Sequence, residues 1–279
     1  MKQHKTIRLR FPNFREKALT LSYDDGQIYD KKLIEIMSKH GIKGTFNLNS
    51  NHYVENSDFP IKAEELKEIY LDTGNEIAVH GVDHLSLAIT DPGEGTHSIV
   101  CDRENLEAIT GRIIKGMAYA NGSYSDDVCA MLRACGIKYS RTTVSTEKFD
   151  MPTDWLRLPA TCHHYNPRLM ELAHQFIEAP PYHYFPNRKL KLFYLWGHSY
   201  EFNNNDNWNV IEEFCEYMGN RDEVWYATNV EIYDYVQAFN RLEYSVYGDI
   251  IYNPTTTDIY VELPGGNKLV IRAGETVKL

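Results

Sequence analysis

The sequence predicts an α/β fold: a barrel of about seven strand–helix units over residues 1–243, followed by a small C-terminal β-rich appendage over residues 244–279. Three observations carry that expectation. Short apolar, β-rich runs alternate with helical patterns, the order that builds a parallel sheet with covering helices. About seven such units follow one another, which favours a closed barrel over an open sheet. From about Tyr244 the texture changes to apolar alternation around a Pro-Gly-Gly-Asn turn signal.

The first strand is "ALTLSY", residues 18–23. The helix "DKKLIEIMSKHG" follows, with apolar Leu33, Ile34, Ile36 and Met37 and a stop at Gly41. "KGTFNLN" reads as a strand, "IKAEELKEIYLDTG" as a helix and "EIAVHG" as the next strand. "HSIVCDRENLEAITG" and "DDVCAMLRACG" read as helices on either side of the strand-like "KGMAYANG". "KYSRTT", "WLRLPAT" and "KLFYLWGHS" are further strands, and after the helical "NWNVIEEFCEYMG" comes "EVWYATNVEIYDYVQAFNRL", a strand followed by a helix. The alternation in "DIYVEL" and "KLVIRAG" predicts a tail that packs on the barrel or mediates self-association and contributes no catalytic group.

At 279 residues the chain can bury a substantial core without disulfide or metal staples. Its formal net charge of −10 argues against nucleic acid or an anionic membrane as the main partner. The five cysteines form an odd set with no C-x-x-C pair, the pattern of reduced thiols. Arg, Lys and Glu interrupt the N-terminal segment before any apolar run of signal-peptide length develops. No uncharged apolar stretch is long enough to span a bilayer. These features predict a cytoplasmic protein.

Chemistry enters with three segments. "LTLSYDDGQIYD", residues 19–30, places Asp24 and Asp25 where an apolar strand meets a glycine. Asp-Gly is a common turn dipeptide, and the carboxyl end of a strand is also where strand–helix folds gather their sites. "EIAVHGVDHLSL" carries His80 and His84, whose i, i+4 spacing can put both imidazoles within reach of one ion. "LFYLWGHSYEF", residues 192–202, delivers His198 to the same end of the barrel. Each alone also reads as a turn, as surface or core histidines, or as a strand cap.

Together, and in this order, the three segments resemble the motifs of the polysaccharide deacetylase family, carbohydrate esterase family four. "LTLSYDDG" is similar to the first motif, with Ser-Tyr where Thr-Phe is usual; "HGVDH" is similar to the second, and "LWGHSYEF" to a variant of the last. The resemblance implies a distorted (β/α) barrel and a divalent metal ion, most simply zinc, bound by Asp25, His80 and His84. It also implies Asp24 as catalytic base and His198 as catalytic acid. Three protein ligands leave positions open for water and a substrate oxygen, as catalytic metal sites require.

The third motif departs from the family pattern. "GMAYANGSYS" has Ala118 where an arginine usually tethers the base, and Asn121 where tyrosine is common. The oxyanion role belongs to a backbone N–H, which Asn121 can still supply. A tether has to come from elsewhere. Arg157 in "DWLRLPATCHH" is the preferred candidate, since it follows an Asp154–Trp155 pair resembling the fourth motif, and Arg141 in "KYSRTT" is the second. His163 and His164 are expected at the pocket mouth, and Trp196 as an apolar wall or a core residue.

The expected function is metal-dependent removal of an N-acetyl or related acyl group from an amino sugar. Hydrolysis of a small non-sugar amide is one alternative. A non-catalytic carbohydrate-binding protein on the same scaffold is another, motivated by the altered third motif.

Overall fold

After a short strand β1 (Arg8–Arg10), the long strand β2 (Lys17–Asp24) alternates between two environments. This is seen in a computed structural model that describes residues 7–54, 58–178 and 189–279. Leu19, Leu21 and Tyr23 enter the apolar layer beneath the helices, while Thr20, Ser22 and Asp24 bond to polar partners on the opposite face. All six are buried, so β2 lies at the centre of the fold.

Along its whole length β2 pairs in parallel with β9 (Lys191–His198). Its other edge is shared: β10 (Val224–Tyr226) takes residues 17–19 and β3 (Gly44–Leu48) takes residues 21–24. From β3 the sheet continues in parallel through β4 (Glu76–Val79), β5 (Gly116–Ala118) and β6 (Tyr139–Ser145). β7 (Leu158–Ala160) pairs with β6 and runs on through Thr161 into β8 (Cys162–His163), which pairs with β9. One continuous segment thereby bridges both edges and closes the ring. With β7 and β8 counted as one, seven positions make up the barrel, and the wedge of β10 beside β2 distorts it.

The outer layer contains α1 (Asp30–Lys39), α2 (Asn51–Val54), α3 (Pro92–Thr110), α4 (Asp126–Ala134), α5 (Leu169–Glu178), α6 (Ser199–Asn204), α7 (Asn209–Met218) and α8 (Asn229–Asn240). Local chemistry sets several starts: Ser125 accepts from Val128 N–H, and Thr228 and Glu231 form a reciprocal capping box. The segment expected as a helix over residues 61–74 instead forms a 3₁₀ turn (Ala63–Glu65) and a π-helical turn (Lys67–Leu71). That irregular path buries Leu66 and Tyr70, and the Tyr70 hydroxyl donates to Asp30 at 2.9 Å. No helix among the described residues is long and apolar enough to cross a membrane.

Barrel interiors are commonly filled with branched apolar side chains, yet this one holds a hydrogen-bonded polar column. Thr45 Oγ1 donates to Glu76 and accepts from Asn229 N–H. The Asn229 side chain then links Thr20 and Tyr194, and Asn47 links Ser22 to Asp24. Each buried polar group needs such a partner, because leaving one bare costs more than the bond returns. At the lower end burial pushes the Glu76 carboxyl up to about 7, against hydrogen bonds from Tyr139, Val230 and Thr45.

The C-terminal segment forms two small antiparallel sheets. β13 (Ile259–Glu262) pairs with both β14 (Lys268–Ile271) and β1, while β12 (Ile250–Tyr252) lies between β11 (Glu243–Tyr244) and β15 (Thr276–Lys278). Buried Ile251, Ile259, Val261 and Ile271 join one apolar cluster with Tyr235, Ala238 and Leu242 of α8 and its C-terminal end. The N-terminal β1 is thus a strand of the tail's sheet. Its Arg10 forms a buried ion pair with Glu262 at 2.7 Å. Among the described residues Glu262→Leu leaves that guanidinium with Glu16, 3.5 Å away, as its remaining carboxylate, and is expected to lower unfolding free energy by about 3–5 kcal/mol in urea titrations. A loss below about 1 kcal/mol would show that Glu16 compensates.

Candidate active site

The two aspartates of the first motif part company because of one backbone residue. Asp24 ends β2 and points into the barrel, whereas Asp25 adopts φ 77 and turns its carboxylate toward the loop after β4. Asp25 N–H still bonds to Asn47 O at 3.0 Å, so the turn remains tied to the sheet. Gly26 follows at φ 63; a Cβ there would come within 2.0 Å of the Tyr53 hydroxyl, so only glycine fits.

Asp25 Oδ1 lies 3.5 Å from His80 Nε2 and 3.6 Å from His84 Nε2. Those separations are too long for good hydrogen bonds. They match two ligands of one tetrahedral ion, each about 2.1 Å from it and about 3.4 Å from each other. The donor chemistry agrees. His80 Nδ1 donates to Ala118 O at 2.9 Å, which fixes the tautomer and leaves the Nε2 lone pair facing Asp25. Burial also lowers the His80 pKa, against the pull of Asp24 and Asp25, and favours the neutral, ligating form. Oxygen plus two imidazoles suits a divalent ion of zinc type.

Asp24 is buried beside the Arg141 guanidinium and accepts from Asn47 Nδ2 at 2.8 Å. Burial alone would raise its pKa; the charges of Arg141, His80 and His198 more than offset it and hold the carboxyl below the ordinary carboxylate value. Arg141 in turn lies over the Trp196 ring, 4.3 Å from its centroid. Trp196 is therefore the floor beneath that guanidinium.

This arrangement corrects the expectation for Arg157. The turn capped by Asp154, which accepts from Leu156 N–H at 3.0 Å, delays β7 until Leu158 and leaves Arg157 outside the strand. Its guanidinium pairs with Asp154 and Asp126 at the outer surface, so the tether of Asp24 is Arg141. Trp155 packs edge-on against Tyr233 of α8, 5.1 Å between ring centroids. Asn121 lies in the exposed turn directly after β5, at φ 54, with its side-chain amide donating to Ser86 Oγ at 3.0 Å.

His198 stands opposite Asp24 in the β2–β9 register, with Nε2 4.0 Å from Asp24 Oδ2. Its Nδ1 is 3.3 Å from Glu201 Oε2, a residue not anticipated from the sequence. The same oxygen lies 3.3 Å from His163 Nε2 and 3.1 Å from His164 Nε2. Burial opposes the Glu201 charge, but the three imidazoles outweigh it and hold the carboxyl far below the ordinary range. For His198, burial favours the neutral ring, yet Glu201, Asp24 and Asp25 prevail and raise its pKa. His164 is buried over Gly197, where a Cβ would fall 2.0 Å from its Nδ1. His164, expected at the pocket mouth, instead lies beneath the site; burial brings its pKa down to about 4, so the ring is neutral.

His163, His198 and Glu201 are also close enough to hold an ion. Tautomers decide against it: Tyr165 N–H donates to His163 Nδ1 at 3.1 Å, so the His163 proton sits on Nε2, facing Glu201. The sequence signal for Glu201 is its i+3 spacing from His198 across a strand–helix junction, where its carboxylate accepts from His198 N–H at 3.2 Å.

Comparisons with known proteins agree with this fold and these motifs. Residues 12–140 match the profile of the polysaccharide deacetylase family. A Mycobacterium smegmatis protein assigned as a polysaccharide deacetylase shares the fold at TM-score 0.61 and 16% identity, over 83% of this chain and 94% of that one. A family 4 carbohydrate esterase from Streptomyces lividans, solved with acetate, superposes at 0.50 and 12% identity, over 76% and 92%. A carbohydrate esterase family four pseudoenzyme from Bacillus anthracis superposes at 0.51 and 16%, over 80% and 67%. No curated protein matches the chain in sequence. The fold is that of the carbohydrate esterase family four barrels. The family profile covers just under half of the chain, and the likeness to the solved structures is one of fold.

If Asp25, His80 and His84 hold one ion, His80→Ala or His84→Ala should lose most of the zinc retained by the purified chain, and His163→Ala should retain it. Near-stoichiometric zinc in a folded His80→Ala/His84→Ala double variant would defeat the ligand assignment.

Proposed function

We propose that the protein is a metal-dependent hydrolase that removes an N-acetyl or related acyl group from an amino sugar. The observation that carries this reading is the division of the aspartate pair. Asp25 faces the Nε2 atoms of two imidazoles, while Asp24 is held ionised by Arg141 opposite His198. A divalent cation held by Asp25, His80 and His84 would supply the positive charge that polarises the acyl carbonyl and acidifies water. A cavity of about 330 Å³ beside Asp25 and His84, lined by Gln27, Asn51 and His52 among others, offers amide and imidazole groups that suit a hydroxyl-rich ring. Its walls include no lysine or arginine to select an anionic substrate. The five free thiols accord with a reducing, cytoplasmic setting and a soluble saccharide substrate.

In the mechanism, Asp24 accepts a proton from the attacking water as its oxygen bonds to the acyl carbon. The Asn121 N–H, on the turn after β5, is assigned to the developing oxyanion. His198, protonated and oriented through Nδ1 by Glu201, gives the Nε2 proton to the departing nitrogen as the C–N bond breaks. The products are a carboxylate and a free amine. Glu201 acts through His198 and is a positioning residue, steadied by His163 and His164. The non-catalytic reading rested on the missing arginine at position 118, and Arg141 occupies that role.

Acetate release from N-acetylated amino sugars, set beside hydrolysis of small non-sugar amides, tests the reading. Asp24→Asn should retain the metal and lose about 10²- to 10⁴-fold in kcat, whereas Asp25→Asn should lose metal first. Full activity of Asp24→Asn at saturating metal would remove the base assignment.

The pH profile of kcat/KM, which reports the free protein's groups, should be bell-shaped. Asp24 must be ionised and its pKa is depressed, so the acid limb falls below the ordinary carboxylate range; His198 must be protonated and its pKa is raised, so the alkaline limb lies above the ordinary imidazole value. Arg141→Met lets burial raise the Asp24 pKa and should move the acid limb to higher pH as kcat falls, with Arg157→Met unchanged. Glu201→Gln withdraws one influence that raises His198 and should move the alkaline limb to lower pH with KM preserved. Unmoved limbs in both variants would contradict these roles.

A further inference from the structure

We propose that Asp102, in the middle of α3, is the positioning residue of the Asp25–His80–His84 ligand set; the proposal rests on the metal-dependent reading above. Its carboxylate is fully buried and accepts three backbone N–H groups: Ser50 at 2.7 Å through Oδ1, and His80 at 3.0 Å and Gly81 at 2.8 Å through Oδ2. Ser50 lies just beyond β3, and His80 and Gly81 just beyond β4. One side chain from the helix layer therefore pins the upper ends of two neighbouring strands at the level of the ligands.

The loop that carries both histidines needs such an anchor. Gly81 has φ +84 and His84 has φ 52, two left-handed residues within four positions, and the backbone bonds beyond Gly81 are long: His84 N–H to Gly81 O at 3.4 Å within the turn, and Val82 N–H to Ser98 O of α3 at 3.4 Å. His80 N–H is shared between Leu48 O at 3.0 Å and Asp102, and the other short contacts come from side chains. Asp102 takes the N–H groups of His80 and Gly81, and Asn49 Nδ2 donates to their carbonyls at 3.3 and 2.6 Å. The two peptide units are held from both sides, which sets the direction in which His80 leaves the strand and the place where the turn to His84 begins.

A carboxylate suits this position because three N–H donors converge on it and both oxygens accept. An asparagine of the same shape keeps one accepting oxygen and turns an NH₂ group toward an N–H donor. Asp102 touches neither substrate nor ligand side chain, so its effect passes through the backbone of His80. Outer-shell partners of this kind typically contribute 10- to 100-fold to metal affinity.

The test uses the full-length chain stripped of metal, with zinc and cobalt(II) as probes. Affinity is measured by competition with a chelating dye, the cobalt site by visible absorption, and apo stability by thermal unfolding. Asp102→Asn is expected to bind zinc roughly 10- to 100-fold more weakly and to alter the cobalt spectrum while the chain remains folded at the assay temperature. A merely structural role lowers the apo melting temperature and leaves affinity and spectrum as in the wild type; that result overturns the proposal. If Asp102→Asn does not fold, Asp102→Ser, which leaves room for water on the same N–H groups, takes its place. Failure of both to fold marks Asp102 as structural and likewise overturns it. A wild-type chain that binds neither ion overturns the metal reading and this proposal with it, whereas normal binding by both wild type and Asp102→Asn overturns this proposal alone.

Discussion

The site depends on keeping one carboxylate ionised inside the barrel. Asp24 is removed from water, and an isolated buried carboxylate would take up a proton instead of remaining charged. Arg141 prevents that, and its position depends on the closure of the ring. It comes from β6, reaches Asp24 on β2, and rests on the face of Trp196 on β9. Because residues 158–163 pair first with β6 and then with β9, those strands are drawn near enough for the guanidinium to meet both partners. The polar column below Asp24 extends the same logic: once the interior holds charge, its neighbours have to be donors and acceptors in a connected set.

From that fixed point the remaining geometry follows through register and tautomer. Parallel pairing of β2 with β9 sets His198 opposite Asp24, and the left-handed turn at Asp25 separates two adjacent carboxylates into different surroundings. The histidines divide in the same way. His80 donates from Nδ1 to a carbonyl and leaves Nε2 for an ion, whereas His163 accepts at Nδ1 and presents Nε2–H to Glu201. Two clusters of similar composition therefore have different chemistry, and the backbone groups beside them set the difference.

Much of this was legible in the sequence. The alternation of Leu19, Leu21 and Tyr23 with Thr20, Ser22 and Asp24 specified a strand with one apolar and one polar face, and the three motifs shared one end of the barrel because each followed a strand. What stayed hidden depended on where strands begin and which chains meet through space. Arg157 and Arg141 both read as strand arginines, and the Asp154–Trp155 pair favoured Arg157. The Asp154 turn, which delays the strand start from Trp155 to Leu158, and the outward pull of Asp126 separate them. Glu201 was not anticipated because its imidazole partners at 163 and 164 lie far away in sequence. Asp102 was one more polar position on a long helix, and β1 gave no sign that it would pair with a strand some 250 residues later.

The fold by itself does not decide catalysis, since it is shared with a pseudoenzyme as well as an esterase. In this chain Asp24 lies beside Arg141 and opposite His198, and Asp25 faces His80 and His84, the arrangement on which the proposed hydrolase reading rests. The most direct test of that account is the X-ray absorption spectrum at the zinc edge of the zinc-loaded chain. The account predicts one ion with a first shell of two imidazoles completed by oxygen, from Asp25, His80, His84 and solvent. Because His163, His198 and Glu201 would also offer two imidazoles and an oxygen, the spectrum of His163→Ala is the control: an unchanged shell there supports the account, and loss of an imidazole from it would place the ion at the Glu201 cluster and contradict it.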